Sequence, residues 1–219
     1  KVLIIIPAYN EEESIEKVIN NLKQNYSQYD YVIINDGSHD HTSEICHKNK
    51  YKIIDLPVNL GLTGAFQTGL KYAYKKGYDY AIQFDADGQH LPEYIPAMVD
   101  KIEEGYDMVI GSRFVEKPKP RSLRMLGSRV ISTAIKITTG VHIADPTSGM
   151  RLFNKTLIRE FAENINYEPE PDTVSFLIKQ GVKVAEVQVE MKEREAGESY
   201  LNLSRSIVYM TKMFVSIII

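Results

Sequence analysis

Asp85 and Asp87 stand one residue apart in the run Gln83-Phe84-Asp85-Ala86-Asp87-Gly88-Gln89-His90, directly after an apolar stretch and ahead of a turn. On an extended backbone side chains repeat every second residue, so the two carboxylates face the same way. Convergent carboxylates repel unless a cation or a proton lies between them. All-oxygen ligation favours a hard divalent ion such as Mg²⁺ or Mn²⁺, and such an ion suits a substrate that carries phosphates. Taken alone, Asp-x-Asp is equally a common solvated turn. The elements that position it decide between the two.

Residues 1–6 form a β-branched and leucine run, as in a strand covered on both faces of a parallel sheet, and Pro7-Ala8-Tyr9-Asn10 ends it. Residues 11–25 follow with acids in the first turn and apolar residues at Ile15, Val18, Ile19 and Leu22, which is helical spacing. The alternation continues with strand 31–35 stopped by Asp36-Gly37-Ser38, helix 42–50, short strand 52–56, helix 64–76 and strand 80–84. That last strand delivers Asp85 and Asp87 at its carboxyl end. Further on, the pattern predicts helix 95–105, strand 108–110 ending in Gly111-Ser112-Arg113, helix 126–139, a turn over 145–151 and a strand fragment at 152–153. Helices 155–163 and 173–180 and a strand over 182–191 complete it. Residues 117–124, with two prolines and four basic residues, read as a mobile loop or a solvated linker.

Strand then helix, repeated, is the pattern of an α/β fold: an open, Rossmann-like, mostly parallel sheet flanked by helices. Ligands of such sheets bind outside the carboxyl ends of the strands. Pro7, Tyr9 and Glu11, then Asp36, then Asp85 and Asp87 all fall at those ends, so independent loops converge on one rim.

The totals exclude several classes. At 219 residues and 43% hydrophobic, the chain can bury a full core. A net charge of -3 and a pI near 6.0 argue against a dedicated nucleic-acid binder. Cys46 is the single cysteine, which rules out an intrachain disulfide or a cysteine-based zinc site and fits a reducing cytoplasm. His39, His41 and His47 lie in a polar, loop-like region and read as solvated, and Arg121 and Arg129 read as ordinary surface charges. The apolar stretch 2–6 is too short for a secretory signal. Residues 207–219 are apolar but fewer than the ~20 of a spanning helix. They are open to three readings: a buried terminal helix, an interfacial helix, or the start of a truncated membrane anchor. The closing isoleucines favour membrane contact or truncation over plain core. A Walker-type phosphate loop is absent, as is Gly-x-Gly-x-x-Gly after the first strand, which disfavours an ATPase and a dehydrogenase.

Five stretches together resemble a family 2 glycosyltransferase with the GT-A fold: Ile6-Pro7-Ala8-Tyr9-Asn10-Glu11-Glu12, Asn35-Asp36-Gly37-Ser38, Asn59-Leu60-Gly61 with Gly64-Ala65, Asp85-Ala86-Asp87-Gly88-Gln89-His90, and Gly111-Ser112-Arg113. Their order and their places at strand ends extend the resemblance over nearly the whole chain. The segment 145–151 and the late Glu193-Arg194-Glu195-Ala196-Gly197-Glu198-Ser199 are most similar to the branch of dolichol-phosphate mannosyltransferases and polyprenyl-phosphate glycosyltransferases.

The resemblance implies roles. Pro7, Tyr9 and Glu11 would line the nucleotide site, Asp36 would contact base or ribose, and Asp85 would serve both nucleotide and metal. Asp85, Asp87 and Gln89 would hold Mg²⁺ or Mn²⁺ against the donor diphosphate. Arg113, Arg124, Ser128 and Arg194 would grip phosphates of donor or acceptor. Glu170 and Asp145 compete for the catalytic carboxylate: a hydroxyl acceptor needs a base, whereas a phosphate acceptor is already an anion.

The expectation is an inverting, metal-dependent transferase. It would move a sugar from a UDP- or GDP-linked donor to a polyprenyl phosphate, from the cytoplasmic side of the cell membrane, as a peripheral or anchored protein and possible homo-oligomer. Residues 1–200 would be the catalytic domain and 201–219 the apolar appendage. Alternatives are the same donor with a saccharide hydroxyl in polysaccharide or cell-wall assembly, a non-catalytic nucleotide-sugar-binding module, or a nucleotidyltransferase.

Overall fold

A computed structural model of the chain describes residues 1–164, 170–192 and 203–219. The strands are β1 (Val2–Ala8), β2 (Asp30–Asn35), β3 (Ile53–Asp55), β4 (Tyr80–Gln83), β5 (Met108–Ser112), β6 (Arg151–Asn154) and β7 (Val184–Gln188). They form one sheet in the order β3-β2-β1-β4-β6-β5-β7. All neighbours run parallel except β6, which is antiparallel to both β4 and β5. This reversal matters for the site. Arg151, the first residue of β6, pairs with Ile110 near the carboxyl end of β5, so the turn that precedes β6 is delivered to the same rim as the loops after β1, β2 and β4.

The helices are α1 (Ile15–Asn25), α2 (Thr42–Lys48), α3 (Gly61–Lys76), α4 (Ile95–Glu103), α5 (Leu123–Thr139), α6 (Lys155–Glu163), α7 (Pro171–Lys179) and α8 (Leu203–Ile218). Alternation along β1 divides the core. Leu3 and Ile5 pack with Phe66 and Leu70 of α3, Ile131 and Ile135 of α5, Phe161 of α6, Val174 of α7 and Met213 of α8. Val2, Ile4, Ile6 and Ala8 face the other way, onto Ile15 and Ile19 of α1 and Met98 and Ile102 of α4. Both faces are covered, which is why the strand reads as a continuous apolar run. Gly69 lets α3 press directly on β1: a β-carbon there would lie 2.2 Å from Ile5 Cγ2.

Several bounds differ from the sequence pattern for local reasons. The first helix begins at Ile15 rather than at Glu11, because the Glu11 carbonyl and carboxylate are taken by the Ser14 backbone and hydroxyl in a preceding turn. The strand expected over 182–191 is Val184–Gln188. Ser122 caps α5 by accepting from Met125 N at 3.3 Å, and Asn154 caps α6 by accepting from Leu157 N at 3.0 Å.

The apolar C-terminus is a helix packed against α5 and α7. Met213 and Ile217 of α8 are buried, and Lys179 Nζ donates to the Ile217 carbonyl at 3.1 Å. Its other side leaves Val208, Phe214, Val215 and Ile218 exposed. No helix among the described residues is long and apolar enough to cross a membrane. Cys46 is buried in the core, and burial pushes its thiol up to about 11.

Candidate active site

The carboxyl ends of β1, β2 and β4 open onto a cleft of about 1260 Å³ whose walls include Pro7, Tyr9, Glu11, Asp36, Asp85 and Asp87. Asp36 is buried and its Oδ1 accepts from Leu60 N at 2.7 Å, tying β2 to the loop that starts α3. Gly37 follows at φ +68°, and a β-carbon there would sit 2.8 Å from Asn59 N, so this crossing of two backbones admits only glycine. Tyr9 stands exposed at the mouth, edge-on to the His39 ring at 6.4 Å. Glu11 is held from both ends: its N–H donates to Thr42 Oγ1 at 2.8 Å and its carboxylate accepts from Ser14 Oγ at 2.6 Å. Beside it the exposed Glu12 carboxylate accepts from the His41 backbone N–H at 2.9 Å and contacts Nδ1 at 2.7 Å. That pairing lowers the Glu12 pKa and raises that of His41. His47 meets Asp55 at 2.7 Å on the surface of the sheet edge.

Asp85 keeps 34% of its side chain exposed, whereas Asp87 is buried and its Oδ1 accepts from Gln89 N at 3.0 Å. The Gln89 side chain donates to the Lys192 carbonyl at 3.3 Å. His90 stands against Asp85. Its Nδ1 accepts from Asp85 N at 2.9 Å, so the ring proton belongs on Nε2, which lies 3.4 Å from Asp85 Oδ2. Gln83 Oε1 is a buried acceptor with no hydrogen-bond partner among the described residues.

Among the described residues, no set of three or more His, Cys, Asp and Glu side chains could hold a metal ion. The donor set still suits Mg²⁺ or Mn²⁺, because hard ions of this kind are commonly held by one or two carboxylates, with substrate phosphates and water completing the shell. Asp85 and Asp87 on one cleft wall are such a pair.

The turn before β6 closes the rim. A β-carbon at Gly149 would lie 3.5 Å from Asp85 Oδ2 and 3.6 Å from His90 Cε1, so this turn borders the two-aspartate loop. Asp145, at its start, is fully buried and engages Arg113 in a fork: Nε to Oδ2 at 2.7 Å and Nη2 to Oδ1 at 2.9 Å. Asp145 Oδ2 also accepts from Arg113 N at 3.1 Å, and Oδ1 from Thr147 Oγ1 at 3.3 Å. Its acceptor sites are filled, so Asp145 has no lone pair directed at a substrate proton. Glu186 of β7 secures the same turn by accepting from Ala144 N at 2.6 Å and Asp145 N at 2.8 Å. Arg151 braces it from behind, donating to the carbonyls of Ser148 and Pro146, each at 2.9 Å.

Next to this turn, the segment expected to be a mobile loop or linker holds a half-buried cation. Lys119 Nζ donates to Ser128 Oγ at 2.8 Å and to Ser132 Oγ at 3.1 Å. Arg129, expected to be an ordinary surface charge, donates to the carbonyls of Lys119 at 2.6 Å and Pro120 at 3.3 Å. Burial lowers the Lys119 pKa; Asp145 and Glu186 oppose the shift, and Arg129 and Arg113 reinforce it. Arg129 also lines an apolar groove of about 250 Å³ between α5 and α8, with Val130, Ala134, Ile137, Phe214 and Ile218.

Glu170 is the N-cap residue of α7, and its Oε2 accepts from the phenol of Tyr209. Of the other expected phosphate ligands, Ser128 is buried beneath Lys119. Arg194 and the motif around it lie outside the described residues, as does the side chain of Arg124, whose backbone is in α5. Five site residues were not singled out from the sequence: His90, Lys119, Arg151, Glu186 and Tyr209. His90 stood inside the acidic motif, Lys119 in the basic proline segment and Arg151 at the end of the 145–151 turn, so these three had a signal. Glu186 and Tyr209 have none, because their partners lie 39 or more residues away.

The profile of glycosyl transferase family 2 matches residues 3–161. A UDP-N-acetylglucosamine–dolichyl-phosphate N-acetylglucosaminyltransferase of Methanococcus voltae is 33% identical over 213 residues, covering 86% of this chain and 84% of the relative. An undecaprenyl-phosphate mannosyltransferase of Micrococcus luteus is 30% identical over 215 residues, with 92% and 88% covered. Among solved structures, glucosyl-3-phosphoglycerate synthase of Mycobacterium tuberculosis with Mn²⁺, UDP-glucose and phosphoglyceric acid superposes with a TM-score of 0.71 at 17% identity, over 100% of this chain and 79% of that one. The chain belongs to glycosyl transferase family 2 and is a glycosyltransferase of the GT-A fold.

Proposed function

We propose that this glycosyltransferase moves a sugar from a UDP- or GDP-linked donor to a polyprenyl phosphate, with inversion at the anomeric carbon. The observation that carries the reading is the cation cluster at one end of an apolar groove. Lys119 and Arg129 have no carboxylate within 4.0 Å among the described residues, while the nearby Asp145 and Glu186 are spent on Arg113 and on backbone N–H groups. Arg129 belongs to both cluster and groove. A ligand with an anionic head and an apolar tail matches both features, and the names of the relatives above point to the same acceptor class.

In this reading the nucleotide lies in the cleft, with Tyr9 and Asp36 at the base and ribose and Glu11 fixing the loop after β1. Asp85 and Asp87 would hold Mg²⁺ or Mn²⁺, and the Gln89 backbone keeps Asp87 in place. The bound ion would offset the charge that grows on the departing nucleoside diphosphate. Arg113 and Lys119 orient the acceptor phosphate, with Ser128 holding Lys119 from beneath, and the phosphate oxygen attacks the anomeric carbon as the bond to the diphosphate breaks on the opposite face. Asp145 fixes the Arg113 fork; it does not act as a base. A phosphate nucleophile needs none, and Glu170 is engaged by Tyr209.

Residues 1–200 are the catalytic domain in this reading, and α8 with α5 is the interfacial surface. Leu126, Val130, Ile137, Val208, Phe214 and Ile218 expose apolar side chains, with Ile137 78% exposed, and Lys136 and Lys212 accompany them. Such a face suits peripheral attachment to an anionic membrane surface.

The test is nucleotide release by purified protein with Mn²⁺ or Mg²⁺, a panel of nucleotide sugars, and polyprenyl phosphate present or omitted. Release from one donor only with the lipid, giving a product of opposite anomeric configuration, is the expected result. Equal release with a saccharide acceptor alone would overturn it.

A further inference from the structure

Asn10 and His39 shape one corner of the cleft. Asn10 has a left-handed backbone, φ 55°, which few residues other than glycine adopt and asparagine tolerates. Its N–H donates to Ser38 Oγ at 3.0 Å, and its Oδ1 accepts from His39 N at 2.9 Å. Ser38 is anchored in turn: its N–H donates at 3.2 Å to Oδ1 of Asn35, the buried last residue of β2. The loop after β1 and the loop after β2 are therefore fastened to each other, with Tyr9 on one and His39 on the other.

The two rings meet at an interplanar angle of 76°, and both residues border the cleft. A flat ring laid on either one stands nearly upright to the other. The pair thus offers stacked and edge-to-face contact at once, the two arrangements aromatic groups favour. Carboxylates line the cleft beside them, among them Glu12, Asp40, Asp85 and Asp87. A diphosphate approaches those with its cation, whereas a nucleobase is uncharged and has a flat π-face. The base is the part of a nucleotide sugar that matches this corner.

We propose that His39 is a binding residue for the nucleobase of the donor, forming one wall with Tyr9, and that Asn10 is the positioning residue that seats it. The assignment rests on the nucleotide lying in this cleft and not on the nature of the acceptor.

The test is calorimetry with Mn²⁺ and UDP, GDP or inorganic pyrophosphate, read as the ratio of nucleotide to pyrophosphate affinity. Pyrophosphate has no base, so the ratio separates the base contact from the metal and from the charge of the cleft. For the nucleotide that binds more tightly, His39→Ala should lower the ratio about tenfold. His39→Phe keeps a flat ring and should stay within about twofold of the parent. Asn10→Gly allows the same backbone turn but loses Oδ1, and should lower the ratio too; Asn10→Asp keeps an acceptor there and should not. The double variant of Asn10→Gly and His39→Ala should be no weaker than the worse single one. In turnover, His39→Ala should raise the donor KM and leave kcat as it is. An unchanged ratio in His39→Ala would overturn the base contact, and losses that multiply in the double variant would overturn the part given to Asn10. Tyr9→Ala separates the proposal from the wider reading. A ratio that falls there but not in His39→Ala leaves the nucleotide in the cleft and sinks the His39 assignment alone. A ratio that falls in His39→Ala, in a protein that turns over on a saccharide acceptor without lipid, upholds the base contact and sinks the lipid acceptor alone.

Discussion

Arg113 and Asp145, 32 residues apart, form a two-pronged ion pair with contacts of 2.7 and 2.9 Å in which the carboxylate is fully buried and the guanidinium a quarter exposed. The asymmetry assigns the roles. The acid is consumed by the pair, whereas the arginine keeps an open side, so a carboxylate expected as a catalytic candidate is the mount for Arg113, the residue proposed above to orient the acceptor phosphate. Asp145→Asn should cost about 3 kcal/mol, toward the low end for breaking a buried pair because Arg113 is partly solvated. For a domain of this size that is a fall of about 6–12 °C in Tm. Thermal denaturation measures the loss, and a Tm within two degrees of the parent would contradict the geometry.

Asp87→Asn keeps the acceptor atom for Gln89 N but removes the charge a divalent ion needs. The expected result is a loss of at least about a hundredfold in turnover with Tm unchanged and weakened Mn²⁺ binding by calorimetry. Undiminished Mn²⁺ affinity would remove Asp87 from the metal site.

Lys119→Met should raise the KM for lipid phosphate about tenfold or more, with Lys119→Arg in between and donor KM unaffected. The sign of the pH dependence follows from burial. Because the folded pKa of Lys119 is lowered, its ammonium is present below that value and is lost as pH rises through it, earlier than for an ordinary lysine. The wild-type acceptor KM should therefore rise on the alkaline side, and the Lys119→Arg profile should stay flat there. Identical alkaline limbs in the two proteins would exclude Lys119 as the group responsible.

Ile137→Glu places a charge on the exposed apolar face of α5 without disturbing the buried Ile131 and Ile135. Co-sedimentation with anionic vesicles should drop several-fold, since each buried apolar side chain contributes about 1.5–3 kcal/mol. Release of nucleotide with a short-chain, water-soluble polyprenyl phosphate should be retained. Unchanged vesicle binding would move the membrane contact elsewhere.

Gly37→Ala meets two obstacles, a φ of +68° and a backbone atom 2.8 Å from the new carbon. It should cost more than about 1 kcal/mol and weaken donor binding by shifting the loop that Asp36 fastens. Isothermal titration with nucleotide alone would show parent affinity if the crossing of the two loops does not shape the cleft.

The sequence by itself determined the strand–helix alternation, the burial of β1 on both faces and the convergence of Tyr9, Asp36, Asp85 and Asp87 on one rim. These are local properties: apolar periodicity, turn residues and strand ends follow from neighbours along the chain. It also placed Arg113 and Asp145 in separate motifs without joining them. Only the tertiary structure decided that β6 runs antiparallel between β4 and β5, because strand direction depends on pairing partners distant in the chain. From that one reversal come the delivery of the 145–151 turn to the rim and the pairing that spends Asp145. The packing of α8 against α5 and α7, which sets Tyr209 beside Glu170, was equally out of reach. An apolar terminal segment specifies that a face will be covered, and three-dimensional neighbours specify by what.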